Sequence, residues 1–139
     1  MRQRTPVSTI MTKNLVALTR SDNLERAEML FKRNKIKHMP VVSGETIIGM
    51  LSYTDLMRIS FAEASSIESE TLETVVYNNF TIEEVMVKDV VTISSDTTIK
   101  EAAKILAERE FHALPVEENG ALVGIVTTTD LLNYFIKQF

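Results

Sequence analysis

The sequence predicts an α/β (α+β) protein: two tandem β-α-β-β-α repeats packed with pseudo-twofold symmetry, with a connecting helix between them. Three observations predict it. First, a shift of 75 positions aligns Val7–Met57 with Ile82–Leu132 without a gap, pairing Met11 with Met86, Pro40-Val41 with Pro115-Val116, Gly49 with Gly124, and Thr54-Asp55-Leu56 with Thr129-Asp130-Leu131. Second, within each copy the apolar residues alternate between helical spacing and short β-branched runs. Third, a repeat of about 50 residues leaves apolar helix faces uncovered, so two copies in one chain are expected to cover each other. The first repeat spans 1–61, an acidic, Ser-rich connecting segment spans 62–80, and the second repeat spans 81–139.

Each copy opens with a short apolar strand, Leu15–Leu18 or Val90–Ile93. A helix follows, with Leu24, Ala27, Leu30 and Phe31 on one face, and Ile99, Ala102, Ala103 and Leu106 in the second copy. Asp22-x-x-Glu25 and Thr98-x-x-Glu101 read as capping boxes that satisfy first-turn N–H groups. Two β-branched runs come next, joined by Ser43-Gly44-Glu45 in one copy and by Glu117-Glu118-Asn119-Gly120 in the other, which is hairpin spacing. A final helix carries Leu56 and Ile59, or Leu131, Leu132, Phe135 and Ile136. In the connecting segment Ile67, Leu72, Val75 and Val76 form a loose helical stripe among serines and glutamates.

Composition excludes several function classes. The 139 residues are 45% hydrophobic and 24% charged with a net charge of −4, which describes a folded chain and not a disordered one. A pI near 5.2 supplies no basic field for a nucleic-acid backbone. With no cysteine and only His38 and His112 as histidines, thiolate metal sites, cysteine nucleophiles and histidine cages are excluded. No apolar run approaches the roughly 18 residues that span a bilayer, and the first residues lack the apolar core of a secretory signal. The expectation is a cytoplasmic protein with no membrane or nucleic-acid partner, no metal and no catalytic residues.

The ordered motifs resemble those of a known family. Ile10-Met11-Thr12 and Val85-Met86 are followed by the Pro40-Val41 and Pro115-Val116 strands, and then by Gly49-Met50-Leu51-Ser52-Tyr53-Thr54-Asp55 and Gly124-Ile125-Val126-Thr127-Thr128-Thr129-Asp130. This series resembles the CBS domain, and two in tandem resemble a Bateman module. The resemblance implies a pair of clefts for adenosine-containing ligands (AMP, ADP, ATP, S-adenosylmethionine, sometimes NAD) in modules that pair into discs.

Residue chemistry gives that implication a mechanism. Ser52-x-x-Asp55 and Thr127-x-x-Asp130 stand where a strand turns into a helix; a carboxylate there accepts two charge-assisted hydrogen bonds from a ribose diol, and the helix start suits an anion. The same spacing is also an ordinary helix cap, and both roles can coexist. By the resemblance, Lys37 and His38 in the first copy and His112 in the second face phosphates, while the other reading makes Lys37 a solvated surface charge and packs His112 beside Phe111. Arg58, one turn past Asp55, has Asn133 as its counterpart, so the first cleft suits a charged phosphate and the second a less phosphorylated ligand. The implied sets also take in Met39, Pro40 and Thr54, and Ala113, Leu114, Pro115 and Thr129. An apolar slot for the base would be formed by Val16 and Ala17 beside Met50 or Leu51, and by Val91 and Thr92 beside Ile125 or Val126. Gly49 and Gly124 permit either close ligand approach or close strand packing.

The functional expectation is a regulatory module, not an enzyme. It requires no cofactor, binds an adenine nucleotide (AMP or ATP foremost) as regulatory ligand, forms a homodimer and signals to an effector protein in trans. The alternative is a dimeric scaffold or adaptor with empty clefts.

Overall fold

The computed structural model describes residues 4–64 and 80–139. The chain divides into two compact units, Val16–Asp89 and Met1–Leu15 together with Val90–Phe139. The connecting helix expected over 62–80 falls mostly on 65–79, outside the described residues.

In the Val16–Asp89 unit the elements are α1 (Leu24–Asn34), β1 (His38–Ser43), β2 (Thr46–Ser52), α2 (Tyr53–Ala64) and the short α3 (Ile82–Val85). Helix α1 buries Leu24, Ala27 and Phe31, the face that the apolar spacing predicts. Its cap differs from the expected Asp22 box. The capping residue is Asn23, whose Oδ1 accepts from Arg26 N at 2.8 Å. Asp22 instead accepts from Thr19 N at 2.8 Å and pairs with Arg26 Nε at 3.1 Å, so it fixes the turn leading into the helix. Lys35, in the left-handed region at φ 54°, ends the helix.

The other unit carries β3 (Ile93–Ser94), α4 (Ile99–Glu108), β4 (Ala113–Glu118), β5 (Ala121–Thr127) and α5 (Thr128–Lys137). Thr98 caps α4, accepting from Glu101 N at 3.1 Å, which is one half of the expected box. The opening strands are shorter than expected. In this copy only Ile93–Ser94 pairs, parallel to β4, and in the first copy only Leu18 bridges, parallel to Val41. Both hairpins are antiparallel, with a register irregularity at the same repeat position, after Val41 and after Val116. Their tight turns use positive φ: Gly44 at 63°, and Asn119 and Gly120 at 53° and 81°. The Asn-Gly pair thereby matches the twist of its strands.

The compact unit and the sequence repeat are different partitions of the chain. In the Val16–Asp89 unit, β2 is joined by the leading segment of the second repeat: Met50 N donates to Val87 O at 3.0 Å, and Val87 N returns to Met50 O at 2.9 Å. In the other unit, β5 is joined by the leading segment of the first repeat, through Thr12 N to Ile125 O at 2.8 Å and Ile125 N to Thr12 O at 3.0 Å. Val7 and Ile82, equivalent in the repeat, are each fully buried in the core they join. Each such side chain contributes about 1.5–3 kcal/mol on burial.

This exchange accounts for the two strand glycines. A Cβ at Gly49 would stand 2.3 Å from Met86 Sδ, and one at Gly124 would stand 2.6 Å from Met11 Sδ. Of the two roles open for these glycines, the structure shows close packing. The motif methionines dock on them.

Candidate functional site

The nominated residues lie on and around two equivalent strand-to-helix junctions, one per unit. In the Val16–Asp89 unit, β1 and β2 pair His38 with Ser52 and Pro40 with Met50, so these four side chains share one face of the hairpin. Met39, Val41 and Leu51 occupy the opposite face and are fully buried in the core. Tyr53 N donates to Lys37 O at 2.9 Å, tying the start of α2 to the start of β1. Ser52 Oγ accepts from Asp55 N at 3.0 Å, and Arg58 Nη1 donates to Asp55 Oδ1 at 3.0 Å. Leu18 N donates to Pro40 O at 2.9 Å, which lays Val16 and Ala17 alongside Met39 and Pro40. Val16 packs on the core, whereas Ala17, Lys37 and Thr54 are exposed.

The second junction repeats this arrangement with different chemistry. Ala113 pairs with Thr127 and Pro115 with Ile125, and Thr128 N donates to His112 O at 3.0 Å. Thr127 Oγ1 accepts from Asp130 N at 3.1 Å while Asp130 Oδ2 accepts from Thr127 N at 2.9 Å, a complete reciprocal cap. Leu114 is fully buried in the core, and Val91 packs against it. Thr92 is half-buried beside the Pro115 end of β4; His112 and Thr129 are exposed.

Three site expectations change in light of these positions. Met39 and Leu114 present their side chains to the core, because strand alternation turns them away from the His38–Pro40 and Ala113–Pro115 face. Of the alternatives for the apolar slot, Met50 and Ile125 share that face with the prolines, whereas Leu51 and Val126 are core residues. The aspartates also have partners already: Asp130 caps its own helix and Asp55 pairs with Arg58. A carboxylate offers about four acceptor positions, so one hydrogen bond leaves capacity for a ligand.

Tyr53 and Thr128 were not among the nominated residues. Each is the first residue of its helix and holds the preceding junction closed. Tyr53 also meets Phe31 edge-on, with ring centroids 5.5 Å apart. The signal for them was their place between Ser52 and Asp55, and between Thr127 and Asp130.

Among the described residues no group of three or more His, Asp or Glu side chains is placed to hold a metal ion. No helix among them is long and apolar enough to cross a membrane.

Two α/β units with duplicated hairpins and capped strand-to-helix junctions define a tandem-repeat α+β module. Residues 7–62 and 82–137 each match the CBS domain, and the chain belongs to that family. It is 29% identical over 126 residues to uncharacterized protein MJ1225 of Methanocaldococcus jannaschii, covering 90% of this chain and 45% of that protein. The chain spans less than half the length of the curated relatives it matches. The crystal structure of MJ1225, proposed as an archaeal homologue of g-AMPK, aligns with a TM-score of 0.81 at 25% identity over 97% of this chain and 49% of that one. CBSX2 in complex with AMP aligns with a TM-score of 0.78 at 22% identity, covering 96% of this chain and 98% of that one. The CBS domain pair of MJ0100 with 5′-methylthioadenosine and S-adenosyl-L-methionine aligns with a TM-score of 0.79 at 22% identity, covering 97% of this chain and 98% of that one. These last two likenesses concern the fold.

Proposed function

We propose that the protein is a regulatory module that binds an adenosine-containing ligand at its strand-to-helix junctions and transmits binding to a partner in trans. The observation that carries this reading is the repeated Ser/Thr-x-x-Asp corner. In both units it stands at the start of a helix, beside the end of a two-stranded hairpin, with carboxylate acceptor capacity left over. Ribose hydroxyls supply the donors such a carboxylate takes, and the helix start favours a neighbouring phosphate. Family membership and the likeness to MJ1225, proposed as a homologue of g-AMPK, support the same reading.

Regulation requires that the ligand bind two arrangements of the protein unequally. AMP and ATP are the foremost ligands in this proposal, the protein acts in the cytoplasm as a homodimer, and it performs no catalysis. A thermal-shift panel of AMP, ADP, ATP, adenosine and S-adenosylmethionine tests it. At 100 times its Kd a ligand adds about 2.7 kcal/mol, enough to raise the melting point by several degrees.

One observation favours a second reading, a dimeric scaffold without ligand. Both aspartates are engaged within the protein, Asp130 in its cap and Asp55 with Arg58. No thermal shift with any compound of the panel at saturation would leave this reading in place of the first.

A further inference from the structure

We propose that the two junctions divide ligands by charge: the Val16–Asp89 unit takes the polyphosphorylated adenosine compound, and the junction of the other unit takes an uncharged one. This rests on the adenosine-ligand reading above and adds which site takes which ligand class.

The contrast lies in the last turn of the first helix of each unit and its connection to the hairpin. In one unit it carries Lys32, Arg33, Lys35 and Lys37, all exposed. The residues at the same repeat positions are Ala107, Glu108, Glu110 and His112. Over residues 32–38 the formal charge is +4, and over 107–113 it is −1, with histidine neutral. Arg58 and its counterpart Asn133 widen the difference.

The fold ties the backbone of this basic stretch to the junction. Ile36 N donates to Phe31 O at 3.2 Å, Phe31 packs edge-on against Tyr53, and Tyr53 N donates to Lys37 O at 2.9 Å. The basic turn is thereby tied to the first residue of α2, two residues before Asp55 and five before Arg58. Lys32 is paired with Glu28 at 2.5 Å, so Arg33, Lys35, Lys37 and Arg58 carry the contrast. Lys35 lies two residues from Lys37, within roughly 7 Å along the chain, inside a Debye length of about 8 Å.

Arg58 acts in two ways. One guanidinium N–H holds Asp55 Oδ1, which offsets the negative charge a phosphate would meet. The remaining donors of the planar fork stay available for phosphate oxygens. At the other junction, Asp130 has no ion pair among the described residues; its carboxylate accepts from the backbone of Thr127. Its charge, with Glu108 and Glu110 against the single Arg109 ahead of His112, disfavours a polyphosphate and leaves a ribose hydroxyl as the favoured donor.

The test is calorimetric titration of the whole chain with ATP and with adenosine. The double variant K37H/R58N gives the first junction the residues of the second, and H112K/N133R does the reverse. ATP affinity is expected to fall about tenfold or more in K37H/R58N, the scale of losing hydrogen bonds to charged groups, while adenosine affinity moves less than about threefold. H112K/N133R is expected to add an ATP site. Added salt should weaken ATP binding more than adenosine binding. Unchanged ATP affinity in K37H/R58N, or an equal loss for ATP and adenosine, overturns the division by charge while leaving the adenosine-ligand reading intact. Wild-type protein that binds neither compound removes that reading, and the division with it.

Discussion

Replacing Gly49 by alanine places a methyl group 2.3 Å from Met86 Sδ and 2.9 Å from its Cγ. Neither distance is sustainable, so the thioether must swing out of a buried position. Overpacking of this kind costs about 1–3 kcal/mol, and the stiffer unfolded chain returns about 0.4–1 kcal/mol. The expected net loss lies between about 0 and 2.6 kcal/mol, or up to roughly 10 °C of melting temperature for a chain of this size. Gly124→Ala should cost more, because its methyl group would also meet the backbone oxygen of Thr12 at 3.2 Å. Met86→Ala alone opens a cavity worth about 2–5 kcal/mol, but in the Gly49→Ala background the new methyl group refills part of it. Denaturation of the single and double variants, followed by circular dichroism, should give a coupling of about 0.5–3 kcal/mol. Strict additivity of Gly49→Ala and Met86→Ala would refute the account of the leading segment as a plug on the strand glycine.

Three further outcomes follow from the caps and turns. Asn23→Ala and Thr98→Ala should each lower stability by about 0.5–2 kcal/mol in denaturant melts, the scale of a lost cap. Asp130→Ala should cost about 1 kcal/mol in the same assay because it removes half of a reciprocal cap, whereas Asp55→Ala should cost no more than about 1 kcal/mol, since its partner Arg58 is 71% exposed. Gly120→Ala should lose about 1–2 kcal/mol by melting, because alanine is strained at a φ of 81°.

Much of this architecture was legible in the residues because repetition and period carry it. The shift of 75 positions marked both copies, and alternation marked both hairpins. What stayed hidden depended on long-range choices. Nothing local states that Met11 docks on Gly124 and Met86 on Gly49, since either methionine fits either glycine by type. Adjacent capping residues also blur: Asp22 and Asn23 both suit a helix start, and backbone geometry selects Asn23. At the candidate sites the participating segments were readable, but the strand face was not. A one-residue change of parity separates Met50 from Leu51 and His38 from Met39, and only the register decides which side faces the core. The Asp55–Arg58 pair sits at helical i,i+3 spacing, where a contact is always available, yet the side chains choose among several partners.

The most direct test of the central claim is titration calorimetry of ATP and AMP into wild-type protein and into the double variant Asp55→Ala/Asp130→Ala. The account predicts saturable heat with wild type and an affinity loss of about tenfold or more in the variant, which still unfolds cooperatively. Equal binding by the two proteins would show that the junction carboxylates only cap their helices.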